Sequence, residues 1–158
     1  MHRRTLIFGP LALYATGRAT VCRAAAWALI TKEEFKRDSA APQLEESLSR
    51  SMRRASGPDA PVIEVNQPDV TKPIRPPVTI RVRFRPKEGA TIDLTSFRVT
   101  YGALALDITQ RILEHAHLSA SGLLANGADV PPGHHRVTLQ VADNMRRVGI
   151  RTIEFTVL

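Results

Sequence analysis

Arg81, Arg83 and Arg85 stand at alternate positions, and no other side chains in the sequence are so regularly placed to act together. On a regular strand their guanidinium groups leave one face roughly 6.6 Å apart. Cations at that spacing repel unless carboxylates on adjacent strands or an external anion compensates. The first case points to Glu154 and Asp93 as cross-strand partners. The second makes the face a docking surface for an acidic protein, an anionic glycan or a lipid headgroup. Pairing or solvation is the commoner fate of such ladders. Arg146 and Arg147 would extend the surface only from the same side of the sheet.

Histidines offer a different chemistry. His115 and His117 are two apart, so a strand would put both imidazoles on one face, and imidazole suits copper and zinc. His134 and His135 are adjacent and face opposite ways on a strand, so they cannot simply chelate together. Asp107, Asp129 and Asp143 are isolated, whereas calcium wants six to eight oxygen ligands. Aspartates at turns and strand ends ordinarily bond their own backbone. The sequence has no Gly-x-Ser-x-Gly, phosphate loop or zinc-ligand spacing, and no convergent catalytic set. The reading is a non-enzyme without a cofactor and without an assigned metal site, His115 and His117 being the weak alternative.

The elements that would position these groups are strands. Val78, Ile80, Val82 and Phe84 alternate with Thr79 and the arginines, which is the period of a half-buried strand. Val62 to Asn66, between Pro61 and Pro68, reads as a short edge strand. Phe97, Val99 and Tyr101 mark another, and Leu104, Leu106 and Ile108 a further short one. Ile112 to Leu124 fits strand or loop. Pro131-Pro132-Gly133 turns the chain into a strand from His134 to Asp143, with Val137, Leu139 and Val141 on one face. A polar loop to Gly149 leads to a last strand, Arg151 to Leu158, with Ile153, Phe155 and Val157 inward. The expectation is an all-β domain over 60–158, an antiparallel sandwich of about seven strands. Trp27 falls outside it, which leaves the core without a tryptophan.

Residues 1–26 read as a probable signal peptide. Arg3 and Arg4 precede the short apolar run Leu6 to Ala15, and Ala24-Ala25-Ala26 supplies small residues for cleavage before Trp27. The paired arginines weakly resemble a twin-arginine export signal. The run is too short to span a bilayer, and no transmembrane helix is expected in the mature chain. Residues 27–59 read as a helical or flexible extension and linker. Thr31 and Glu34 fit a capping box, and Leu44, Leu48 and Met52 form a thin stripe on a second short helix. That stripe cannot build a core, so the segment either docks on the β domain or stays mobile, and mobility is the favoured reading. The formal charge is +7, but the first 26 residues hold four arginines and no acid, and the remainder has 18 basic against 15 acidic residues. Such a balance argues against nucleic acid as a partner. Cys22, the only cysteine, lies in the leader, so a processed chain has no disulfide.

Pro-Pro-Gly-His-His-Arg-Val-Thr-Leu-Gln-Val-Ala-Asp, a loop with Gly149, and Ile-Arg-Thr-Ile-Glu-Phe-Thr-Val resemble the end of many bacterial immunoglobulin-like (Ig-like) domains. Pro-Val-Thr-Ile-Arg-Val-Arg-Phe and Ser-Phe-Arg-Val-Thr-Tyr suit the same family. The resemblance covers about 95 residues and implies a scaffold that acts as spacer, adhesive module or packing partner in an exported protein. With the signal segment it implies periplasm or cell envelope, while an acidic protein or envelope component as partner is suggested by the arginine ladder alone. A second resemblance is to periplasmic copper-resistance proteins, which are also small exported β-sandwiches with a Pro-Gly turn and a Phe-x-Val hairpin. Here the hairpin loop, Asp143-Asn-Met-Arg-Arg-Val-Gly149, lacks their Asp-Gly-His.

Overall fold

The computed structural model describes residues 26–40 and 57–158. Residues 1–25 of the expected signal peptide 1–26, the Leu44, Leu48 and Met52 stripe, and most of the expected linker lie outside the described residues. Among the described residues nine strands are present, the longer ones mostly where side chains alternate apolar and polar: β1 (Trp27–Ala28), β2 (Val62–Gln67), β3 (Val78–Arg85), β4 (Ile92–Tyr101), β5 (Leu106–Asp107), β6 (Ala116–Ser119), β7 (Gly122–Asp129), β8 (Gly133–Asp143) and β9 (Val148–Val157). Two helices accompany them, α1 (Lys32–Ser39) and α2 (Thr109–Leu113). The expected count of about seven falls short because β1 and β6 are only two and four residues long. So few residues give no readable period.

The strands form two sheets. The first runs β1-β7-β3-β2, with β6 also paired to β7; the second runs β5-β4-β8-β9. All pairs are antiparallel except β1 with β7. One cluster of buried apolar residues fills the space between the sheets, drawn from the inner faces of both. Of the thirteen side chains that alternation assigns to the core, eleven are buried; Ile80 and Ile153 are half-buried. The parity of the last hairpin holds: Leu139 and Phe155 are buried, Thr138 is half-buried and Glu154 is exposed. β2 lies at the end of its sheet, as its flanking prolines require.

Three local expectations change. The hairpin loop is shorter than the sequence implies, because Val148, Gly149 and Ile150 already pair with Ala142, Val141 and Gln140. Leu104 to Ile108 is not one strand. The chain turns from Gly102 to Ala105, only Leu106 and Asp107 pair, and Ile108 begins α2. The ambiguous stretch from Ile112 to Leu124 holds the end of α2, all of β6 and the start of β7.

The largest correction concerns the extension. Trp27, Leu29 and Ile30 are buried members of the core, with Trp27 only 8% exposed. The Trp27 indole N–H donates to the Asn126 carbonyl at 2.8 Å, and its ring stacks on His115 at 4.5 Å between centroids. The core therefore has its tryptophan. The capping box forms as read, with Thr31 Oγ1 accepting from the Glu34 amide at 3.2 Å and Glu34 Oε2 from the Thr31 amide at 2.8 Å. Thus 26–40 is a strap packed on the two sheets.

Candidate functional site

The strap is held by polar groups as well as by burial. Glu34 Oε1 accepts from Arg111 Nη2 and Oε2 from Nη1, both at 2.8 Å, while Nη1 also donates to the Leu29 carbonyl at 2.9 Å. The Arg111 bonds hold the Glu34 carboxyl at about 2, well below its ordinary value, against the opposing effect of burial. Asp38 Oδ1 accepts the amides of Ala103 at 2.7 Å and Leu104 at 3.3 Å. Gly102 makes room for it, since a Cβ there would run into the Asp38 carboxylate. Gly133 does the same for Phe35, whose ring lies over His135.

His135 is 1% exposed. Its Nε2 lies 2.8 Å from the Pro131 carbonyl, which can only accept, so Nε2 carries the proton. Nδ1 then accepts from the Tyr101 hydroxyl at 2.9 Å. Burial pushes the His135 pKa down and the Tyr101 pKa up, the latter helped by the charges of Asp38 and Glu34. The pair is a closed hydrogen-bonded unit beneath the strap. His134 faces outward, as adjacency on a strand dictates.

The aspartates serve turns. Asp143 is buried against the hairpin turn; its Oδ1 accepts from the amides of Met145 at 2.9 Å and Arg147 at 3.0 Å, and its Oδ2 from Arg147 Nε at 2.7 Å. Burial raises its pKa, and the bonds from Arg147 and Met145 more than offset that, leaving it lowered. Asp107 Oδ1 accepts the Thr109 amide at 2.8 Å. His115 is exposed, and its ring stacks on Trp27. His117 is exposed opposite Leu124 of β7. Among the described residues no group of three or more His, Cys, Asp or Glu gathers where a metal could sit. No helix among them is long and apolar enough to cross a membrane.

Arg81, Arg83 and Arg85 are all exposed on the outer face of β3. The partners anticipated for them are engaged elsewhere, on the other sheet: Glu154 holds Arg136 at 2.6 Å and Asp93 accepts from Thr95. The ladder divides. Glu64 sits opposite Arg83 in the β2–β3 register, yet its carboxylate reaches diagonally to Arg85 Nε at 2.9 Å. Arg81 and Arg83 have no carboxylate partner among the described residues. Beside them lies an open polar groove that also takes in Asn66, His117, Ser119 and Ser121. Register explains the grouping: Arg83 neighbours Gly122, which neighbours Ser119; Arg81 neighbours Leu124, which neighbours His117. Arg81 and Arg83 were legible only as members of the Arg81, Arg83, Arg85 ladder. Ser119, Ser121 and Gly122 were missed, because their association depends on β6 and β7 being strands. No protein-family model, no curated protein and no solved structure matches the chain.

Proposed function

We propose that this is a non-enzymatic Ig-like module of an exported protein, acting in a bacterial periplasm or envelope by binding an acidic partner through Arg81 and Arg83. One observation carries the reading: these adjacent guanidinium groups share one exposed face and form no salt bridge among the described residues, since Glu64, opposite Arg83, is engaged by Arg85, and a polar groove lies beside them. Two cations kept together in that way are stabilised when an external anion arrives. The two-sheet architecture and the hairpin parity support the Ig-like part. Glu34, His135 and Asp143, whose pKa values their surroundings shift, are occupied in holding the strap, the strand β8 and a turn.

The test is retention on immobilised polyglutamate. Retention should fall as salt shortens the Debye length from about 10 Å at 0.1 M to about 3 Å at 1 M. It should also fall in R81Q/R83Q, with the melting temperature little changed. Equal retention of wild type and variant would remove the reading. Export is checked separately: mass spectrometry should find a new N-terminus between Ala24 and Ala28, and an intact Met1 on most cytoplasmic molecules would contradict it.

A further inference from the structure

The groove over Gly122 has a form that narrows the ligand. Neighbouring strands lie about 4.8 Å apart, so Arg83 on β3 and Ser119 on β6 stand roughly 10 Å from one another with β7 between them. At that point β7 carries Gly122, which has no side chain, and none can be added: a Cβ there would run into the Val82 carbonyl. One register step along, Leu124 fills the corresponding position between Arg81 and His117. The open space is thus a short bay with a bare floor, closed at one end by leucine. It suits a single compact group better than a polymer lying along the strand.

The bay's chemistry is donor-rich. Arg81 and Arg83 supply guanidinium N–H groups, His117 an imidazole and Asn66 a carboxamide, and no carboxylate lines it. Ser119 Oγ lies 2.9 Å from Ser121 Oγ and donates to the Gly122 carbonyl at 3.2 Å. When Ser119 donates to Gly122, the Ser121 proton is free either to bond Ser119 or to turn outward. The pair can therefore present a donor to a ligand without leaving a buried group unpaired. A carboxylate would neutralise one of the two arginines and leave the other. A phosphomonoester carries close to two negative charges above its second pKa of about 6, and three terminal oxygens, which matches two guanidinium groups and a hydroxyl.

We infer that this bay is a binding site for a phosphoryl group, held by Arg81 and Arg83 on one wall and, across β7, by the hydroxyl of Ser121 where it meets Ser119 of β6. The inference rests on the proposed anionic face and deepens it. Amide resonances of the purified chain are followed by NMR at pH 7.5 during titration with inorganic phosphate, glucose 6-phosphate, acetate, and vesicles containing phosphatidic acid. Saturable shifts should centre on Ser119, Ser121 and Gly122. R81Q/R83Q should weaken phosphate binding by about tenfold or more, because both charge-assisted contacts go. Ser121→Ala should weaken it by a few-fold. Arg151→Gln, an exposed arginine on the other sheet, should change it by less than about twofold, as a distant screened charge does. Preference for glucose 6-phosphate places the ligand in solution, and preference for the vesicles places it on a lipid headgroup; both support the site. No saturation at these amides, equal binding of acetate, or equal weakening by Arg151→Gln overturns it. If phosphate fails while polyglutamate retention still requires Arg81 and Arg83, the phosphoryl site falls and the acidic-partner reading stands.

Discussion

The strap and the arginine face use charged groups in opposite ways. Under the strap, Glu34, Arg111, Asp38, Tyr101 and His135 are each matched to a partner within the chain, around apolar anchors that join the core. On the outer face of β3, two arginines stand exposed beside a groove with no internal carboxylate. The lesson concerns where stability resides. Removing a matched group should unfold or undock part of the chain, whereas removing an unmatched one should leave the fold alone and reveal itself only in binding.

The strongest way to break this contrast is Trp27→Ala. The residue is buried, stacked and hydrogen-bonded, so its loss should cost about 3–5 kcal/mol, as truncation of a core aromatic does. Urea denaturation measures it, and a cost near zero would mean that the strap is not part of the cooperative unit. Glu34→Ala comes next, at about 2 kcal/mol, since a bidentate charged bond and a helix cap go together. Arg111→Met should cost a similar amount, and the double variant should cost less than the sum; strict additivity would argue against coupling.

Acid sharpens the comparison further. The folded Glu34 carboxyl at about 2 lies below its ordinary 4.5, so this pair's contribution is complete above pH 4.5 and is lost as pH falls toward 2. His135 acts in a higher window. Its folded pKa is below the ordinary 6.5, so the unfolded chain takes up a proton first, and stability declines as pH drops below 6.5 until the folded imidazole also titrates. His135→Phe should flatten the stability profile just below pH 6.5; an unchanged slope there would assign it to another group. The smallest effect belongs to R81Q/R83Q, whose stability should stay within about 0.5 kcal/mol of wild type. A larger loss would show that the face is internally matched after all.

Legibility followed the same division. The β8–β9 hairpin was readable because alternation is a local property: Val137, Leu139 and Val141 announce their face without reference to distant residues. The capping box at Thr31 and Glu34 was readable for the same reason. Docking of the strap was not, because Trp27 meets Asn126, 99 positions away, and Asp38 meets Ala103, 65 positions away. Nothing near Trp27 encodes those partners. β7 was obscure because Gly122-Leu-Leu-Ala-Asn-Gly-Ala-Asp129 is poor in β-branched residues. It is a strand because it lies between β3 on one side and β6 and β1 on the other, with Ala125 and Ala128 fully buried. Half of the phosphoryl bay was hidden with it.

The long reach of the strap also sets an order of events during synthesis. Trp27 and Leu29 leave the ribosome about a hundred residues ahead of Asn126 and Asp129, to whose carbonyls they come to be hydrogen-bonded. Contacts that distant in sequence form after the local hairpins, since the intervening chain must be closed first. The apolar segment 27–30 therefore stays uncovered until β7 has been made and folded.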